Sequence, residues 1–312
     1  MKKISLMLAV FAFLLGISIF LLIKGKPTAK NFNPLDNIDV AKVDKIVLSF
    51  PAFSVTLEKE NQAWKLTSPF KDAADGAVVD RIAAEFKGMT VGSVISENKG
   101  KHGQFGVEDK TAIHAQVFVE GKKSPTLDLL IGKEGPSYMT AYVRFPGQNM
   151  VYIGNGFSTY TLQQSTDSYR LKKMLPLDLA VATSIKVAGS NTTFDLSRTS
   201  ATWTRSSDGK TIETGWVDSL KNKLNALQAS QFAPADTPEK DLGFLKPALD
   251  ISVVVSSTVS HVVIGPAPAA KKGAPSTPPT HYGRVDGRAG VILVIPDYYV
   301  KDIQDFLKTA PK

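Results

Sequence analysis

Two runs far apart in the chain carry the same stripe of apolar residues. In residues 78–89, VVDRIAAEFKGM, Val79, Ile82, Phe86 and Met89 stand at i, i+3, i+7 and i+10. In residues 216–227, WVDSLKNKLNAL, Val217, Leu220, Leu224 and Leu227 repeat that spacing. With 3.6 residues per turn, these positions fall on one face, so each run is predicted to form an amphipathic helix. Asp75 and Thr214 precede the two runs and are the predicted N-caps, since their side-chain oxygens can accept from the first free helical N–H groups.

The match extends in both directions. Upstream, DKIVLSF (44–50) parallels TSIKVAG (183–189), and FSVTLEKENQAWKLTSP (53–69) parallels TTFDLSRTSATWTRSSD (192–208), with Trp64 facing Trp203. Both pairs alternate apolar and polar residues around a turn, the pattern of a hairpin with one buried face. Downstream, Phe105–Gly106 parallels Leu242–Gly243, and three further strand-like segments at 112–121, 126–135 and 140–154 parallel 250–258, 260–268 and 281–295. Each half ends in a short helix candidate, 157–165 and 297–307. Short turns between strands imply antiparallel pairing. Strands gathered around one long helix imply an α+β class rather than alternating βαβ units. The expected organisation is a signal anchor and tether over 1–37, a first α+β repeat over 38–167 and a second over 168–312. Residues 266–280, PAPAAKKGAPSTPPT, interrupt the second repeat where the first has only KEGPSYM. Five prolines there predict an exposed mobile loop, either a ligand lid or loop drift.

The N-terminal pattern differs from all of this. Residues 4–23, ISLMLAVFAFLLGISIFLLI, contain no charge, proline, asparagine or glutamine. At 1.5 Å per residue they span about 30 Å, the thickness of a bilayer's hydrocarbon. The run is longer than the apolar region of a cleaved signal peptide and ends LLIKGK without a small-x-small site, so an uncleaved single-pass anchor is the reading. Its charges also change how the overall +8 is understood. Lys2, Lys3, Lys24, Lys26 and Lys30 supply five of those charges, residues 1–30 hold no acid, and the rest of the chain carries only +3. That near balance is a poor footprint for nucleic acid, and no nucleic-acid partner is expected. The chain has no cysteine, which removes disulfides, thiol nucleophiles and Cys-ligated zinc.

The remaining chemistry is sparse. His102, His114, His261 and His281 form no metal-ligand spacing, no G-x-S-x-G is present, and the glycine-rich pieces lack a phosphate-loop pattern. No cofactor or metal site and no enzymatic activity are expected. Asp72, Asp75, Asp80 and Glu85 cluster at a helix start, where acids meet the positive end of the dipole. One polar motif recurs: Tyr142-Val-Arg144 and Tyr282-Gly-Arg284. Residues two apart on a strand share a face. Each Tyr–Arg pair therefore reads either as a candidate partner or ligand surface or as a cross-strand pair stabilising the sheet.

Taken in order, Trp64-x-Leu66-x-x-Pro69, Ala74–Asp75, Phe105–Gly106, Leu129-x-Ile131–Gly132, Tyr142-Val-Arg144 and Val151–Tyr152 resemble the domain-of-unknown-function family 4340 over most of residues 40–310. The second copy departs from the pattern at Thr204, lacks the Ala–Asp step and reads Tyr-Gly-Arg. The family has no established catalytic residues. The resemblance implies a single-pass protein of the bacterial inner membrane, its body in the periplasm, acting as a non-catalytic accessory to a gliding-motility-type ABC transporter. Transporter permease or associated subunits would be its partners. A periplasmic binding module for an envelope lipid or glycan is the alternative.

Overall fold

The structure, a computed structural model, describes residues 31–36, 38–162, 165–189, 192–234, 236–268 and 278–311. The predicted anchor, most of its tether and residues 269–277 of the proline-rich loop lie outside these. Among the described residues, no helix is long and apolar enough to cross a membrane.

In the first half the strands are β1 (Val43–Ser49), β2 (Ser54–Glu60), β3 (Ala63–Ser68), β4 (Asp72–Ala73), β5 (Thr90–Ser96), β6 (Ile113–Val119), β7 (Leu127–Glu134), β8 (Thr140–Arg144) and β9 (Val151–Asn155). Helix α1 (Gly76–Gly88) and the one-turn α2 (His102–Phe105) lie among them. In the second half the strands are β10 (Ala182–Gly189), β11 (Thr192–Thr199), β12 (Thr202–Arg205), β13 (Thr211–Ile212), β14 (Gln231–Phe232), β15 (Leu249–Val255), β16 (Thr258–Ile264), β17 (Thr280–Val285) and β18 (Leu293–Pro296). Its helices are α3 (Thr214–Ala226), the one-turn α4 (Glu239–Leu242) and α5 (Asp297–Leu307). The two nine-stranded antiparallel sheets have orders β4-β3-β2-β1-β6-β7-β8-β9-β5 and β13-β12-β11-β10-β15-β16-β17-β18-β14. The second order is the first with every strand advanced by nine places, so the chain contains two similar sheet domains in tandem. The described residues divide into two compact units, those of 31–69 with 77–166, and those of 70–76 with 167–311.

Alternation of burial explains the sheets. In β1, Ile46 and Leu48 are fully buried and face Leu57 and Val55 on one side, Val117 and Ala115 on the other. In β10, Ile185 and Val187 take the same places against Leu196, Phe194, Val253 and Ile251. Both central strands even carry a register shift at the same point, Val43/Lys45 and Ala182/Ser184. The helices bury the predicted stripe: Val79, Ile82 and Phe86 on α1, Val217, Leu220 and Leu224 on α3. Met89 and Leu227, just beyond, are also buried. Each such side chain contributes roughly 1.5–3 kcal/mol of transfer free energy. Trp64 on β3 fastens α1 by donating its indole N–H to Asp80 at 2.8 Å. In the second unit, Asp218 pairs with Lys221, whose ammonium stands 5.8 Å over the Trp203 ring. Trp216 packs between Phe194 and Phe306.

A close approach is also duplicated. The helices α2 and α4 end at Gly106 and Gly243, both left-handed at φ 71°. Opposite them stand Gly132 and Gly265, where a Cβ would overlap the carbonyl oxygens of Phe105 and Leu242. Only glycine fits there, which gives the Leu-x-Ile-Gly motif a steric reason.

Two local expectations are corrected. Thr214 is the first helical residue of α3 rather than its N-cap; Glu213 holds that place and makes no side-chain cap bond. Within the short helix expected at 157–165, the described residues form a 3₁₀ turn over Thr159–Thr161, and residues 163 and 164 lie outside the described ones. There the Glu134 carboxylate accepts from the Thr159 N–H at 2.9 Å and from its hydroxyl, while Phe157 and Leu162 are buried. Those tertiary contacts hold the turn instead of a continuing helical ladder. The counterpart helix α5 forms over the whole predicted segment.

Candidate functional site

Each Tyr–Arg pair lies in its own unit, and the two pairs have different surroundings. Arg144 is 2% exposed. Its guanidinium donates to the carbonyls of Val107 (2.8 Å) and Gln148 (3.0 Å) and to the Asp109 carboxylate (2.8 Å). The hydrogen bond from Arg144 holds the Asp109 carboxyl below its ordinary pKa. Tyr142 is half-buried against Phe105, ring centres 4.7 Å apart. Arg144 is thus fully engaged with its own unit. Arg284 is exposed, with its guanidinium 4.9 Å over the Phe244 ring. It borders a cleft of about 490 Å³ together with Glu239, Phe244, Arg288 and Val291. Tyr282 is half-buried and does not line that cleft.

The densest charged constellation lies elsewhere, within the second compact unit, and sequence reasoning missed it. Asp72, on β4, has a fully buried side chain. Its carboxylate accepts Arg170 Nε at 2.7 Å and both Nε and Nη2 of Arg288 at 2.9 Å. The two arginine side chains are only 9% and 8% exposed. Arg170 also binds Asp167 at 3.0 Å. Aromatic faces cover it, with Phe232 centred 3.5 Å and Phe70 4.6 Å from the guanidinium carbon. Nη1 of Arg288 is buried without a hydrogen-bond partner. Asp72 is therefore the anion of a buried ion triad rather than a helix-start acid. No motif could have signalled it, because its partners lie 98 and 216 residues away. Beside Arg170 opens a cleft of about 470 Å³, walled by Phe70, Phe232, Pro234, Val291 and Ile292. Lys71 and Asp167 also line it, so it offers aromatic and aliphatic walls with the cations of Arg170 and Lys71 and one carboxylate.

The strand histidines are held by carboxylates. His114 meets Asp128 at 2.5 Å, and His281 lies between Asp297 (3.0 Å) and the Gly265 carbonyl (2.8 Å). His261 contacts Asp250 at 2.9 Å and Asp286 at 3.2 Å. Burial pulls the His261 pKa down, but its two carboxylate partners outweigh that and leave it raised above the ordinary value. Among the described residues, no group of three or more His, Cys, Asp or Glu is placed to hold a metal ion.

A family model described as domain of unknown function (DUF4340) matches residues 64–247, more than half of the chain. No curated protein and no solved structure matches it.

Proposed function

The chain belongs to the family of the domain of unknown function DUF4340, and from that premise we propose that it is a membrane-anchored, non-catalytic accessory protein of the bacterial envelope that docks on an ABC-type transport complex. The observation that carries this reading is the uncharged 20-residue run 4–23 directly upstream of two similar sheet units. A bilayer-length segment of that kind holds a folded body at the membrane. Lys2 and Lys3 before the run and Lys24, Lys26 and Lys30 after it make the positive-inside count nearly even, so the placement of the body in the periplasm rests on the family resemblance. Purification of the tagged full chain from mild detergent tests the partner. Permease and ATPase subunits should accompany it, and a protein that emerges alone counts against the proposal. Alkaline phosphatase fused after residue 312 tests the topology: the fusion should be active, and an inactive fusion of a stably expressed protein would place the body in the cytoplasm.

The cleft beside Arg170 favours a second reading, a periplasmic binding module for an envelope lipid or glycan. Its aromatic walls, with Lys71, Arg170 and Asp167 among the lining residues, suit an amphipathic ligand with a polar group. Native mass spectrometry of the protein from its own membranes distinguishes the two. A lipid or glycan retained by wild type and lost on Phe232→Ala supports the binding module.

A further inference from the structure

The described chain begins on the outermost strand of the first unit. Phe32 exchanges two backbone hydrogen bonds with Val91 on β5, at 3.1 and 2.7 Å. Asn33 donates to the Lys87 carbonyl, Lys87 donates to the carbonyls of Leu35 (2.8 Å) and Asp36, and Leu35 is 1% exposed. Residues 33–36 are thereby pinned to the end of α1. Residues 24–31 join this point to the apolar run 4–23. Eight residues reach at most about 29 Å, and the headgroup layer beyond the hydrocarbon occupies about 5–8 Å of that. With 4–23 in a bilayer, the Phe32 end of the β5 edge can stand no more than about 21–24 Å beyond the headgroup layer.

That edge is apolar. Two register shifts between β5 and β9 leave Val94 and Ile95 adjacent and both exposed, 40% and 43%. Phe32 is 46% exposed and stacks on Phe145, ring centres 6.0 Å apart. Phe145 meets the edge of Tyr152 at 5.9 Å, and Tyr152 faces Val94 across the β5–β9 ladder. The result is a continuous row of three aromatic rings running into two exposed aliphatic side chains on an edge strand. Such edges are ordinarily blunted or covered, and contiguous apolar surface marks a contact. The turn that follows β5 presents Lys99 and Lys101, both exposed, with Glu97 beside them and Asp36 near the Phe32 end. Aromatic rings with flanking lysines are the composition that settles at a headgroup boundary, with apolar parts inward and ammonium groups toward phosphate.

We infer that the β5 edge of the first unit is a membrane-surface contact, with Phe32, Val94, Ile95 and Phe145 seated in the headgroup layer of the bilayer that holds residues 4–23. The inference rests on the anchor reading proposed above and adds an orientation: the first unit stands edge-on, β5 toward the lipid and β2–β3 away from it. The absence of cysteine makes single-site labelling possible. Val94→Cys and, as a control, Glu60→Cys on β2, six strand spacings or about 29 Å across the sheet, would each carry an environment-sensitive fluorophore. The full chain would be reconstituted in vesicles of phosphatidylethanolamine and phosphatidylglycerol, with and without headgroup nitroxide lipid. The probe at 94 is expected to be quenched several-fold more strongly than the probe at 60. Equal quenching of a carbonate-resistant chain overturns the surface and leaves the anchor standing. Release by carbonate overturns both. A probe at 94 shielded from aqueous iodide yet untouched by the lipid quencher shows that a second copy or another protein covers the edge, and overturns the lipid assignment.

Discussion

Replacing Asp72 by alanine removes the one carboxylate that neutralises two arginine side chains less than one-tenth exposed. Three charge-assisted hydrogen bonds at 2.7–2.9 Å disappear together. Arg170 keeps Asp167 and the faces of Phe70 and Phe232. Arg288 is worse placed, because one of its terminal nitrogens already lacks a partner. Breaking a buried pair from one side costs about 3–5 kcal/mol, since the stranded charge keeps its desolvation penalty. For a unit of this size that lowers the melting temperature by on the order of 10 °C. Urea unfolding followed by Trp203 and Trp216, in a Trp64→Phe background that silences the first unit, measures the second unit alone. The loss should be nearly independent of salt, as expected for a dry pair. Exchanging the whole triad for apolar residues, Asp72→Leu with Arg170→Met and Arg288→Leu, should recover most of it. A loss below about 1 kcal/mol, the size typical of a solvated pair, or one abolished by salt, would refute the description of Asp72 as the anion of a buried triad.

Three further outcomes follow from the geometry. Gly132→Ala and Gly265→Ala should each destabilise their own unit by about 1–3 kcal/mol or more, because the added methyl meets a carbonyl oxygen on a fixed turn; calorimetry with wild-type melting temperatures would discard that steric reading. Arg144→Ala should cost about 1–3 kcal/mol by leaving the buried Val107 carbonyl unpaired, whereas Arg284→Ala should stay within about 0.5 kcal/mol, as for an exposed side chain; equal effects in denaturant melts would contradict the different environments assigned to the two copies. His261 has a raised folded pKa, so its contribution is complete below the ordinary value of 6.5 and is lost as pH rises through the folded value; the stability gap between wild type and His261→Gln, measured between about pH 5 and pH 8, should shrink as pH rises, and a constant gap would exclude the linkage.

The elements legible in the sequence are those whose periodicity is enforced by a single buried face. Val79, Ile82 and Phe86 betray α1, and Ile46 with Leu48 betrays β1, because each pattern repeats within a few residues. The duplication was legible for the same reason, since both copies bury equivalent positions. What escaped depends on partners distant in the chain. The pairing of β5 with β9 joins residues some 60 apart. The turn at Thr159–Thr161 depends on Glu134, 25 residues upstream of Thr159. Asp72 looked like an ordinary acid before a helix, and nothing nearby announces Arg170 or Arg288. The Tyr–Arg repeat was visible as a pattern, but whether an arginine is enclosed, like Arg144, or exposed on a ring, like Arg284, is decided by the 106–109 and 243–247 loops, which differ in sequence.

Cross-linking mass spectrometry on intact cells carrying the full chain tests the proposed docking role most directly. The account predicts cross-links from lysines of the two sheet units to the permease or associated subunits of a membrane transport complex. Cross-links confined to the chain itself, at an expression level where the anchored protein is abundant, would contradict it.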